Sequence, residues 1–328
     1  MSTWTGKPVL VTGGAGFIGS HLTEALVEAG AEVAVLDDFS SGRRENLAPV
    51  RERIRLIEAD VRDRETVRDA TRGRQVVFHL AANADVPRSV REPDLDFETN
   101  LVGSFNVLRG CVEFGARAVA ASSAAVYGPP RYLPIDEEHP LRPISPYGAA
   151  KVGMEQLGFA YAAVHGLKFT PVRIFNTFGE RQRHYVMVDL LRKLAENPNQ
   201  LEVLGTGAQS RSYCHVSDAC RLLMRVAESE ATPGRAVNLS GDHLLSIRQL
   251  AELLVDLLDL RGRTSLHFTG ESWPGDIDNL SGDASWAKTN LAFQCQVGLR
   301  DGLDRLIDWL EHHNGWRLRR NGLGSNHK

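Results

Sequence analysis

Tyr147 and Lys151 stand four residues apart in Tyr147-Gly148-Ala149-Ala150-Lys151, a stretch that reads as the opening of a helix. At that spacing the two side chains share a helical face, so the ammonium can lower the phenol from its reference pKa of ~10. A phenolate prepared in this way can take a hydroxyl proton while hydride leaves the same carbon, and a serine can share the developing charge. The run Ser122-Ser123-Ala124-Ala125-Val126-Tyr127-Gly128 supplies that serine after an apolar strand. The roles expected are Tyr147 as base, Lys151 as its tuner and Ser123 as oxyanion partner. On many helices the same spacing gives only a half-buried Tyr beside a solvated Lys, so the reading depends on what comes before it.

What comes before is a site for a hydride acceptor. Gly13-Gly14-Ala15-Gly16-Phe17-Ile18-Gly19 follows the apolar run Pro8–Thr12 and opens a helical pattern, so backbone N–H groups and a positive helix end can meet a pyrophosphate. Gly13 permits the turn, Gly16 lets phosphates approach, and Gly19 allows close helix–strand packing. The second strand ends in Asp37-Asp38, where a carboxylate can accept from an adenosine ribose diol and would repel a ribose phosphate. NAD(H) is therefore expected over NADP(H), although these acids could merely cap a loop and Arg43 is the kind of residue that accommodates a ribose phosphate. Asp60-Val61 is placed to hold the adenine.

The elements that must position these groups alternate. Strands over Pro8–Thr12, Glu32–Leu36, Ile54–Ile57, Val76–Leu80, Ala118–Ala121 and Phe169–Ile174 are separated by helices that include Arg64–Thr71, Phe97–Phe114 and Pro146–His165. The fold class expected is α/β, a doubly wound parallel sheet (Rossmann) with ligand at the carboxyl ends of its strands. Residues 1–175 are expected to form this domain. Residues 176–316 form a smaller, mainly C-terminal α/β substrate lobe interwoven with it, and 317–328 a flexible tail.

Composition narrows the partners. With 38 Lys+Arg against 41 Asp+Glu the net charge is −3, which argues against a nucleic-acid binder. No apolar run approaches the ~18 residues of a membrane span and the N-terminus lacks a signal-peptide pattern, so a cytoplasmic location and no membrane partner are expected. Cys111, Cys214, Cys220 and Cys295 form no CxxC pair and read as structural thiols. No metal is expected, since His215 and His312-His313 show no ligand-like grouping.

From about Pro8 to Trp309 the chain resembles the extended short-chain dehydrogenase/reductases of the NAD-dependent nucleotide-sugar epimerase/dehydratase family. It is most similar to the UDP-glucose and UDP-glucuronate 4-epimerase branch. The segments that carry this are VLVTGGAGFIGSHL, LDDFSSGRRENL, EADVRD, VFHLAANADVPRSVREP, NLVGSFNVL, SSAAVYG, SPYGAAK, RIFNTFGERQR, GTGAQSRSYCHVSD and WPGDIDNLSGD. The resemblance implies that Phe17 and Ile18 support the phosphate turn, that Leu80, Ala81 and Ala82 lie against the cofactor, and that Asn100 lies near its ribose. It places Asn176 and Arg211 on the nucleotide diphosphate and Asp276 at the nucleotide end. Arg183 either meets a sugar carboxylate, as in the glucuronate branch, or pairs with a surface carboxylate, and the same two possibilities hold for Arg88. It further implies a nucleotide-diphosphate sugar as substrate, UDP-sugar favoured, and a homodimer.

The chain departs from the family where reaction type is decided. Dehydrating relatives carry Asp-Glu before Val-Tyr-Gly and decarboxylating relatives carry Glu, but Ala124-Ala125 stands here. Two methyl groups cannot move the protons that elimination requires. Epimerisation, at sugar carbon 4, is therefore expected: oxidation to a keto-sugar, rotation, and hydride return. The alternatives are a keto-sugar reductase, a dehydratase, or a dinucleotide-binding protein without catalysis. Trp273 replaces a usual Arg, Ser212 follows Arg211 where the family has Asp, and Ile277-Asp278-Asn279 replaces a basic run.

Overall fold

The computed structural model describes residues 2–271 and 277–319. In its first half, strands β1 (Pro8–Thr12), β2 (Glu32–Asp37), β3 (Ile54–Glu58), β4 (Val76–His79), β5 (Arg117–Ser123) and β6 (Phe169–Ile174) alternate with helices. These are α1 (Phe17–Glu28), α2 (Arg64–Thr71), α3 (Val86–Arg91), α4 (Pro93–Asp96), α5 (Gly103–Phe114) and α6 (Pro146–His165). The second half runs β7 (Asn176–Phe178), α7 (Val186–Glu196), β8 (Gln200–Val203), β9 (Ser210–His215), α8 (Val216–Glu228), β10 (Val237–Leu239) and β11 (His243–Ser246). It ends with α9 (Ile247–Leu257), β12 (Ser265–Phe268), β13 (Asn279–Leu280), α10 (Ser285–Leu291) and α11 (Leu299–Asn314).

Seven parallel strands form the main sheet in the order β10-β6-β5-β4-β1-β2-β3. Period-two alternation explains why both faces are covered. Val9, Val11, Val33, Val35 and Phe78 point to one face and meet Leu22 and Leu26 of α1 and Leu222 and Leu223 of α8. Leu10, Ala34, Leu36, Val77 and Ala118 point to the other and meet Val67 of α2, Leu108 of α5 and Met154 of α6. The strand order reverses between β1 and β4, so a crevice opens beyond their carboxyl ends, where doubly wound sheets take ligand. β10 and α8 return from the second half to complete this layer.

The remaining second-half elements enclose a separate core of Met187, Leu191, Leu250, Leu254, Leu303 and Leu306. In its sheet β9 pairs with β7, β11 and β13, while β8 pairs with β12. The helix expected over Phe97–Phe114 is split: Phe97–Val102 is π-helical and leads into α5. The expected tail is also modified at its root. Leu318 is buried against this second core, and Arg319 pairs with Asp304 and Asp308, so residues 317–319 are held against α11.

Candidate active site

The dinucleotide cradle is built by steric exclusion. Gly13 takes φ +69°, and a Cβ there would stand 2.6 Å from the Ala81 nitrogen. A Cβ on Gly19 would stand 2.0 Å from the Gly13 carbonyl, so the turn and the helix touch through backbone alone. Gly16 caps α1 without a side chain, leaving the first-turn amides around Phe17 and Ile18 open to an anion. Leu80 N–H donates to Thr12 O at 3.0 Å and Ala81 N–H to Thr12 Oγ1 at 3.3 Å, which seats the Leu80-Ala81-Ala82 loop beside Gly13.

The acids around the cradle divide their work. Asp37 is 6% exposed and accepts from Ala15 N–H at 2.8 Å and Phe39 N–H at 2.9 Å. Burial raises its pKa and those two amides pull it back. Its oxygens keep lone pairs for a diol while fixing the turn. Asp38 instead caps its own loop through Ser40 N–H and Oγ. Asp60 is paired with Arg62 at 2.6 Å, which lowers its pKa, and Val61 is buried beneath Gly103. Arg43 is exposed and contributes its backbone N–H to Ala15 O, whereas Arg44 stacks on Phe39 and pairs with Glu58. Asn100 is fully buried, accepting from Asn83 N–H and donating to Asn83 O and Asp96. Its amide thus clamps the loop after β4 from behind.

The chemical centre lies at the ends of β5 and the start of α6. Ser145 caps α6 and Pro146 occupies its first turn, placing Tyr147 and Lys151 on the buried side. Ser123 lies beside the Tyr147 phenol and acts to lower its pKa, and its Oγ accepts from Ala125 N–H at 3.2 Å. Lys151 is 2% exposed, donates to Ala121 O at 2.9 Å, and its Nζ lies 5.8 Å from the Tyr147 ring centre.

Here the expected tuning is corrected. Burial raises the Tyr147 pKa, with the nearby Tyr185 phenol adding to the rise and Ser123 opposing it. Lys151 is drawn toward the β5 carbonyl, and its own pKa falls to about 8 through burial, against the pull of Asp96 and Glu155. Desolvation is the largest cause for both groups, because both are buried.

Two supporting networks escaped the sequence reading. His79 bridges Thr12 Oγ1 and Ser104 Oγ at 2.8 Å each, and burial lowers its pKa to about 3, so it is a neutral spacer under the cofactor loop. Behind Lys151, Glu155 is fully buried, accepts from Ser122, and pairs with Arg173 at 2.8 Å; Arg173 also donates to the Tyr127 hydroxyl. Polar residues inside a strand or helix pattern were the available signal, but their pairing was not legible.

On the substrate side, the Asn176 Nδ2 is buried without a hydrogen-bond partner among the described residues. Arg211 sits on β9 and donates to Ser210 O at 2.9 Å and Asp278 O at 3.3 Å. Asp276 and Trp273 lie outside the described residues. Arg183 rests 5.4 Å over the Trp309 ring and lines a cleft of about 440 Å³ with His21, Glu24 and Glu180. None of its described contacts is with Ser123, Tyr147 or Lys151. Arg88 pairs with Glu92 on the surface. The cysteines are less scattered than their spacing implied: Cys214 and Cys295 bring their sulfurs to 3.8 Å beside Asp218. That carboxylate is taken up by Arg221 and the Gln296 and Val297 amides.

A doubly wound sheet with a glycine-lined anion cradle and a Ser/Tyr/Lys set, its Tyr and Lys buried, defines a dinucleotide-dependent enzyme of the short-chain dehydrogenase/reductase type. The chain belongs to the NAD dependent epimerase/dehydratase family, whose model matches residues 9–240. It is 30% identical over 313 residues to a putative UDP-glucose 4-epimerase of Methanocaldococcus jannaschii, covering 93% of this chain and 99% of the relative. It is 34% identical to UDP-glucuronic acid decarboxylase 1 of Xenopus tropicalis, covering 93% and 73%. The structure of UDP-glucose 4-epimerase from Thermotoga maritima with UDP-glucose superposes with a TM-score of 0.86 at 30% identity, covering 93% and 99%. The cofactor is NAD, and the glycine cradle and uncapped α1 fit its pyrophosphate. Among the described residues no helix is long and apolar enough to cross a membrane.

Proposed function

We propose that the protein is a nucleotide-sugar 4-epimerase that takes a UDP-sugar. The observation that carries this is the convergence of Ser123 at the end of β5 with Tyr147 and Lys151 at the start of α6, at a site where Ala124 and Ala125 follow Ser123. NAD, when bound, would accept hydride from the sugar carbon and return it. Tyr147 takes the proton from one sugar hydroxyl and returns it, while Ser123 donates to the oxygen that becomes carbonyl. Lys151 keeps a positive charge beside them. With no carboxylic acid at 124 or 125, proton traffic is confined to one carbinol, so reversal on the opposite face gives a stereoisomer rather than loss of water or carbon dioxide. The Asn176 Nδ2, without a partner among the described residues, is suited to a phosphate or sugar oxygen, and Arg211 to the diphosphate. The epimerase relatives and the UDP-glucose complex support the same choice.

The test is incubation with UDP-, dTDP-, GDP-, CDP- and ADP-sugars, uronates included, followed by NMR. A 4-epimer of a UDP-sugar should accumulate with no net change in reduced nicotinamide. Stoichiometric oxidation of NADH would make the protein a reductase, and a 4-keto-6-deoxy product or a pentose would make it a dehydratase or a decarboxylase. Sugar conversion that survives Tyr147→Phe would remove the assigned chemistry. Phe97, Val102 and Val164 are exposed on or beside α5 and α6, which supports a homodimer through those helices; light scattering at micromolar concentration checks it.

A further inference from the structure

Between Gly179 and Tyr185 the backbone takes positive φ three times, at Gly179 (+144°), Arg181 (+67°) and Tyr185 (+75°). Tyr185 is the extreme case: with ψ 171° it occupies a region of the backbone map that is almost restricted to glycine. Core packing does not explain the strain, because the residue is 57% exposed, although burial around its phenol raises the phenol's pKa. Two hydrogen bonds hold Tyr185: its carbonyl accepts from Asp189 N–H at 3.0 Å where α7 begins, and its hydroxyl donates to Ala84 O at 3.1 Å.

That carbonyl belongs to a rigid loop. Asn83, before it, is clamped by Asn100 and Asp96; Asp85, after it, caps α3. α3 in turn meets the catalytic helix, where Tyr147 N–H donates to Ser89 Oγ at 3.2 Å. The other end of the strained segment is anchored to α1, through His21 on Glu180 O and Arg181 on Glu24. The segment therefore spans from the dinucleotide helix to the loop after β4. Through Ala84 and α3, whose Ser89 accepts from Tyr147 N–H, the Tyr185 end of the segment abuts the start of the catalytic helix, and the field of the Tyr185 phenol opposes charge on Tyr147.

We propose that Tyr185 is a latch and a specificity-determining residue for the sugar pocket, closing segment 179–185 onto Ala84 and limiting the room beside Tyr147. This rests on the nucleotide-sugar reading. The strained backbone makes the closed state easy to leave, so a sugar can enter. The bond to Ala84 then retains the ring while it is oxidised and turns. Losing the latch should let the keto-sugar escape before hydride returns, which leaves reduced dinucleotide on the protein.

Two variants test it. Tyr185→Phe keeps the ring and removes the bond. Tyr185→Gly removes the ring and suits the backbone, and should melt no lower than Tyr185→Phe. In protein without added sugar, amide exchange of the 179–186 peptide should speed up about fivefold in Tyr185→Phe, as expected for loss of one hydrogen bond. With a converted sugar, KM should rise by more than kcat falls. Tyr185→Gly should accept bulkier sugars and build up bound NADH. Unchanged exchange in both variants would overturn the latch even if no sugar were found to react. A fall in kcat with KM unchanged, accompanied by a lower Tm, would reduce Tyr185 to a structural residue and overturn it as well. Should the exchange change while no nucleotide sugar is converted, the latch stands and the proposed activity fails.

Discussion

A lysine sealed from water between β5 and α6 does not stabilise the fold. Its pKa is lowered from 10.5 to about 8, chiefly by burial, while Asp96 and Glu155 favour the cation and neutral His79 faces it from β4. The unfolded chain therefore binds more protons between those two values, and stability must climb as pH rises from about 8 to 10.5. At neutral pH the penalty is on the order of 3 kcal/mol. Lys151→Met should accordingly abolish turnover yet melt at the same temperature or higher at pH 7, and its Tm should lose the rise across that alkaline window in a calorimetric pH series. Tyr147 obeys the same physics from the other side, since burial raises a phenol. Tyr147→Phe removes the proton carrier alone, and kcat should fall by about 10²–10⁴ with dinucleotide binding retained. A fluorescence titration with NADH beside the rate measurement separates the two.

At the scale of elements, the site depends on how closely β1, its turn and α1 meet. Gly19 has no space for a methyl group, because the nearest obstacle is backbone carbonyl rather than a flexible side chain. Gly19→Ala must push α1 away from the turn, so NADH affinity should drop at least tenfold. Affinity preserved in this variant would show that the helix end does not hold the pyrophosphate. Asp37 couples the same turn to the end of β2 by accepting from Ala15 and Phe39. The π-helical stretch before α5 is another element-level device. It carries Asn100, whose amide fixes the loop against which Tyr185 closes. An α-helix through Phe97–Phe114 was the natural expectation, since apolar spacing does not distinguish one extra residue in a turn.

Across the whole molecule, each core is extended by residues that local periodicity does not flag. Leu318 is 6% exposed and packs into the second core after α11 has ended. Leu318→Ala should lower stability by about 2–3 kcal/mol, a loss read by urea denaturation. A variant indistinguishable from the parent would return residues 317–319 to the tail. The buried Glu155–Arg173 pair joins α6 to β6 and reaches the Tyr127 ring. Such a pair is a poor source of stability but a strict positional constraint, because either charge left alone is unpaired in a dry interior.

The amino-acid order alone determined the doubly wound sheet, the glycine cradle and the Ser123, Tyr147 and Lys151 set. Each of these is written in local terms, as alternating or helical periodicity, turn glycines, and residues a fixed number of positions apart. The direction of the phenol's pKa, the position of Arg183 on Trp309, the approach of Cys214 to Cys295, and the strained closure of Tyr185 on Ala84 were decided only in three dimensions. Desolvation, ring stacking and a backbone angle forced by anchors at both ends are properties of surroundings assembled from distant segments, and no spacing along the chain encodes them.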